Sequence, residues 1–166
     1  MRLDLQGDCL RTLIVYYSRT DATKKVAEAI SKLLSSDIER IIDKKNRLGM
    51  MSYLFAGRDA SRKRLTEIED IKFDPAQYDL AIIGTPVWAS TVSAPVRTYL
   101  AKHGEKLGRT AFFCTCGGRK GNVFEEMERL CGKKPLAVLE LTQAEVEKEE
   151  YLQKARVFVD DVGARL

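Results

Sequence analysis

Three groups of residues in this chain have the types and spacing needed to hold a ligand. The first is a cluster of hydroxyls, Ser18, Thr20 and Thr23. It lies where a short run of β-branched and aromatic residues, 12–17, gives way to a stretch with helical spacing, 24–34, in which Val26, Ile30 and Leu33 share a face. A strand, a hydroxyl-rich turn and a helix suit a phosphate, because the first N–H groups of a helix have no internal partner. Hydroxyls add donors without adding charge. The same residues would also serve an ordinary capped turn. The second group surrounds Trp88, the only tryptophan, in a loop just after the buried run 78–84. An indole there can stack on a flat heteroaromatic ring, or fold back as a plug for the loop. The third is Gly117-Gly118, where a backbone can approach a ligand with no Cβ in the way.

These groups need elements to position them. Predicted strands cover residues 12–17, 37–42, 78–84, 109–115 and 136–141, separated by helical stretches. One helix begins after Ser93, with Pro95 in its first turn, turns Val96, Tyr99 and Leu100 inward, and stops at Gly104. Another runs from Asn122 to Cys131, buries Val123, Phe124, Met127 and Leu130, and stops at Gly132. A last amphipathic helix spans 145–166, with Leu152, Ala155, Phe158, Val159 and Val162 inward. Alternating strands and helices imply right-handed crossovers and a parallel sheet covered on both faces. Five strands fit the order 2-1-3-4-5, with the ligand site at the switch point beyond the carboxyl ends of strands 1 and 3. The whole chain reads as a single domain, residues 1–166, with an extension over 1–10 and an insertion over 43–74 between strands 2 and 3. Within the insertion a helix is expected over 56–65, exposing Arg58, Arg62 and Lys63, all packed near the mouth of the sheet.

Composition narrows the class. The chain has 166 residues, 45% of them hydrophobic, enough for a full core. Its opening residues are charged and its apolar runs are too short to span a bilayer, so no membrane role is expected and the reading is a soluble cytoplasmic protein. Cys9, Cys114, Cys116 and Cys131 lack zinc-site spacing and read as reduced, buried thiols. A net charge of +4 favours acidic partners, nucleotides or phosphates. Nucleic acid is not expected, because basic residues alternate with acids.

The loop Ser18-Arg19-Thr20-Asp21-Ala22-Thr23 resembles the phosphate loop of the flavodoxin family, departing from it at Asp21, where the family has glycine. Asp tolerates a left-handed backbone better than most residues and is a good N-cap. Its carboxylate near a phosphate would need to point away or be offset, with Lys24 and Lys25 as candidates. The loop Thr85-Pro86-Val87-Trp88-Ala89, continuing through Ser90 and Thr91, resembles the family's second flavin loop. Thr115, Cys116, Gly117 and Gly118 match the loop that meets the pyrimidine edge of the ring.

The resemblance implies a flavodoxin-like three-layer α/β sandwich that binds FMN. It also implies electron transfer through the flavin between a redox partner protein and a small-molecule or protein acceptor. The flavin carries the chemistry, so no catalytic side chain is nominated. Apolar stacking would disfavour a charged reduced flavin, and Arg119 or Lys120 nearby would favour it. One flavin face would be open, or covered by Tyr53 or Phe55; an open face admits NAD(P)H or a quinone, making an NAD(P)H-dependent FMN or quinone reductase the alternative. A third reading keeps the fold and binds another phosphate ligand. The sequence carries no signal for oligomeric state.

Overall fold

The computed structural model describes residues 10–44 and 65–166. The expected extension over 1–10 and the helix expected over 56–65, each apart from its last residue, lie outside the described residues, as do Cys9, Tyr53, Phe55, Arg58, Arg62 and Lys63; Leu65 is described and is not helical.

A parallel sheet forms from β1 (Thr12–Tyr16), β2 (Asp37–Arg40), β3 (Leu80–Trp88), β5 (Arg109–Cys116) and β6 (Val138–Thr142). Their spatial order is β2-β1-β3-β5-β6, with the switch point between β1 and β3. This is the expected order. The addition is β4 (Thr91–Val92), which folds back antiparallel on the end of β3. The central strands are apolar on both faces, as strands covered by two helical layers must be.

Leu13, Val15, Ile83 and Phe112 point to one face and meet α2 (Ala94–His103) and α3 (Val123–Cys131). Ile14, Ile82, Phe113 and Leu141 point to the other and meet α1 (Ala22–Leu34) and α5 (Tyr151–Gly163). Between β6 and α5, the short α4 (Gln143–Glu147) opens on a reciprocal capping box between Thr142 and Glu145.

Several expectations require correction. α1 begins two residues early, and Leu33 is exposed; Val26, Ala27 and Ile30 are the residues that reach the sheet. The expected C-terminal helix is two helices, broken where Glu149 adopts φ 61. Leu152, in the first turn of α5, is exposed, while Ala155, Phe158, Val159 and Val162 are buried as expected. Gly104 does not end α2 through a left-handed cap. Its φ is −55, it starts a single 3-10 turn, and a Cβ there would meet the Cα of Cys131 at 2.8 Å. The glycine permits two helices to touch.

The described part of the insertion returns antiparallel along the chain after β2. Lys44 N–H donates to the Glu67 carbonyl and Glu69 N–H to the Ile42 carbonyl. Thr66 is stitched to α2 through the Thr98 hydroxyl, which receives the Thr66 N–H at 2.9 Å and donates to its carbonyl at 3.0 Å. The buried Glu39 carboxylate accepts N–H bonds from Lys72 and Phe73.

Candidate functional site

The three loops found in the sequence leave the carboxyl ends of β1, β3 and β5, and the structure brings them together. The loop after β1 turns into α1 at Asp21, the N-cap, with φ 62 and ψ −6. That is the left-handed region favoured by glycine, so the departure at this position keeps the backbone shape and changes the side chain. Asp21 makes no side-chain capping bond. Its value is therefore conformational, and the capping role expected of it is not the one it fills. Ser18 is 2% exposed and its Oγ has no hydrogen-bond partner among the described residues. A buried hydroxyl left without a partner is costly, and a ligand or water reaching the loop would satisfy it. Thr20 is exposed at the mouth of the loop, with Arg19 beside it half-exposed. Ala22 is buried in the first turn of α1. Thr23 is buried and its Oγ1 lies 2.8 Å from the Oγ1 of Thr115, joining the first loop to the third.

The second loop is in fact a hairpin. Pro86, Val87 and Trp88 continue β3, and Ala89 and Ser90 form the two-residue turn with φ 47 and 60. Positive φ at both positions is what a tight hairpin needs for its twist to match its strands. Thr85 faces inward: its Oγ1 lies 2.9 Å from the Ser93 Oγ and accepts the Ser93 N–H at 3.2 Å, closing the base of the hairpin. Ser93 is the N-cap of α2 as expected, but its hydroxyl goes to Thr85 and makes no capping bond. Trp88 is 8% exposed and meets Tyr17 edge to face at 5.5 Å. Pro86 and Val87 are half-exposed and form the more open part of this wall.

The third loop is fastened to the hairpin. Asn122 N–H donates to the Ser90 carbonyl at 3.0 Å. Gly121 has φ +59, and a Cβ there would lie 2.0 Å from the Ser90 oxygen. At Gly117 and Gly118 a Cβ would meet nothing within 4 Å. The glycines thus border open space, as a backbone that approaches a ligand requires. Cys116 is buried, its Sγ donates to the Glu140 carboxylate at 3.8 Å, and burial pushes its thiol up, with Glu140 adding to the effect. It stays a neutral thiol. Cys114, Cys116 and Cys131 are free and buried. Of the two cations suggested as neighbours of a ring, Arg119 is exposed. Lys120 leans over the Phe124 ring at 5.5 Å and pairs with Glu125 at 3.7 Å.

Sequence reasoning missed what lies beneath the hairpin. Arg97, 2% exposed, forms an ion pair with the buried Glu126, and its Nη2 reaches the Thr91 hydroxyl at 3.4 Å. Arg129 also holds Glu126, from the surface, at 2.9 Å. Hydrogen bonds from Arg129 and Arg97 together draw the Glu126 carboxyl down to about 2. A salt bridge thus ties α2, α3 and β4 together below the site. The only sequence signal was an Arg on an otherwise apolar helix face.

No family model and no curated protein matches the chain. The fold is nevertheless a defined one: it is flavodoxin-like, a parallel sheet of this order with helices on both faces. Among solved structures the chain is similar to the flavoprotein in complex with FMN from Lactobacillus acidophilus NCFM. The TM-score is 0.70 and the identity 26%, covering 84% of this chain and 97% of that one. Flavodoxin 2 from Bacillus cereus, 17% identical, gives a TM-score of 0.60 and covers 94% of this chain and 99% of its own. A flavodoxin, WrbA-like protein from Agrobacterium tumefaciens gives 0.55 at 15% identity, with 95% and 99% covered. Among the described residues, no helix is long and apolar enough to cross a membrane.

Proposed function

We propose that this chain is a cytoplasmic FMN-binding redox protein of flavodoxin type, passing electrons between a reductase and an acceptor. The observation that carries the reading is the buried, unpartnered Ser18 hydroxyl, in a loop that enters α1 through a left-handed residue. The similarity to a flavoprotein in complex with FMN supports it. Ser18, Thr20, Thr23 and the free N–H groups at the start of α1 would hold the phosphate, with Arg19, Asp21 and Ala22 shaping the turn. Pro86, Val87 and the narrow open part of Trp88 would wall one side of the ring. Backbone groups from Thr115 to Gly118 would hold its edge. Bound there, FMN would supply the electron-transfer chemistry, and the protein supplies position, dryness and charge.

The test is a titration of the purified protein with FMN, followed by flavin fluorescence. The reading expects saturable one-to-one binding with quenching as the ring packs against the hairpin wall. No uptake of FMN would overturn it in favour of a different phosphate ligand.

A second reading, an NAD(P)H-dependent flavin or quinone reductase, is favoured by one observation. The first aromatic after the third loop is Phe124, which is 7% exposed and packed into the core, so it does not cover a ring. Among the described residues, nothing lies within 4 Å of where a Cβ at Gly117 or Gly118 would stand. Anaerobic addition of NADPH to the loaded protein separates the two: direct bleaching of the flavin marks a reductase, and an unchanged spectrum a carrier.

A further inference from the structure

We propose that Arg40 is the residue through which this chain tells a phosphorylated flavin from an unphosphorylated one, its guanidinium offsetting the Asp21 carboxylate at the phosphate loop. The inference rests on the FMN reading and deepens it. Arg40 ends β2, opposite Tyr16 of β1, and its Nη2 donates to the Ser18 carbonyl at 3.3 Å. The cation is thereby held at the first residue of the loop whose hydroxyl is buried without a partner.

Three residues later, the exposed Asp21 supplies the left-handed turn and brings a negative charge with it. Both charges act on the Tyr16 hydroxyl. Burial pushes that hydroxyl's pKa up, Arg40 draws it down, and Glu28 and Asp21 add to the rise. A dianion placed in this loop would be repelled by Asp21. Ser and Thr hydroxyls supply donors and no counter-charge. Of the other cations near the loop, Lys24 pairs with Glu28 at 3.9 Å, Lys25 is exposed on α1, and Arg19 is half-exposed in the loop itself. Although Glu39, Glu69 and Asp70 line the same pocket, Arg40 comes from a different strand, is exposed, and is anchored by an uncharged carbonyl that leaves its charge unneutralised. Riboflavin, which lacks the phosphate, would not feel it.

The experiment measures dissociation constants for FMN and for riboflavin at low and high salt, with the protein as purified and with Arg40→Gln, Arg40→Lys and Arg40→Gln/Asp21→Asn. Arg40→Gln should weaken FMN by about threefold or more, as loss of one charge at an exposed position implies. Riboflavin should be unaffected. Arg40→Lys should keep most of the preference, and the double substitution should restore FMN binding. Equal losses for both flavins, or no loss for either, would overturn the proposal and leave Arg40 a brace for the Ser18 carbonyl.

If Arg40→Gln fails to fold, the unaltered protein still decides. Salt should weaken its FMN binding and leave riboflavin alone, and identical salt responses would overturn the proposal. Failure of the unaltered protein to bind either flavin would instead sink the FMN reading itself.

Discussion

Asp21 occupies a position where an L-residue is under strain, with φ 62. Asp21→Gly removes that strain, partly countered by the greater freedom glycine gives the unfolded chain. The net effect should be a gain of up to about 1 kcal/mol, read as a higher urea midpoint with unchanged slope. Asp21→Val, with a β-branched side chain in the same backbone, should lower the midpoint. The hydroxyls of this loop were legible in the sequence because their role depends on local order along the chain. Arg40 was not, since one Arg on an alternating edge strand looks solvated, and only the pairing of β2 with β1 brings it to Ser18. Glu39 was missed for the same reason: its partners, Lys72 and Phe73, lie far along the chain.

At the scale of elements, the strands and their order could be read from apolar runs alternating with helical spacing. The hairpin could not. Ala89 and Ser90 are poor signals for a turn that needs positive φ at both positions, and they adopt it because the flanking strands and the third loop hold them there. The break at Glu149 was hidden likewise, by a non-glycine residue with φ 61 in a stretch of helical composition. The joint between hairpin and third loop depends on Gly121, whose missing side chain lets the Ser90 carbonyl approach. Gly121→Ala should cost about 1 kcal/mol or more from backbone strain alone, and should separate the two loops. Thermal melting would report the loss. In the titration, FMN and riboflavin should weaken together, because the phosphate end is untouched.

At the scale of the molecule, the described residues form two cores on either side of one sheet, joined by charged contacts whose state depends on pH. Glu126, held by Arg129 and Arg97, and Glu145, held by Lys154 and the Thr142 cap, are each drawn from 4.5 to about 2. A carboxyl with a lower pKa in the folded than in the unfolded state adds stability above its unfolded value, and that stability is lost as the pH falls through the folded one. The melting temperature should therefore hold level down to about pH 4.5 as far as these groups are concerned, and fall from there toward pH 2. Glu126→Gln should flatten part of that acid limb. At neutral pH the same substitution should cost roughly 3 kcal/mol, because Arg97 stays buried without its counter-charge. None of this could be read from composition, since Arg97 and Glu126 lie on different helices and meet only once α2 and α3 share a face.

The contact between Thr23 and Thr115 has a consequence that concerns direction. Two hydroxyls 2.8 Å apart share one hydrogen bond, and either can supply the proton. When Thr115 supplies it, the proton of Thr23 is free to turn toward the helix entrance; when Thr23 supplies it, that proton is occupied and Thr115 is left with its own. An acceptor arriving at Thr23 selects the first arrangement. The polarity of a single bond would then record at Thr115, 92 residues along the chain, whether the far end of the site is filled. That record is written without moving a heavy atom.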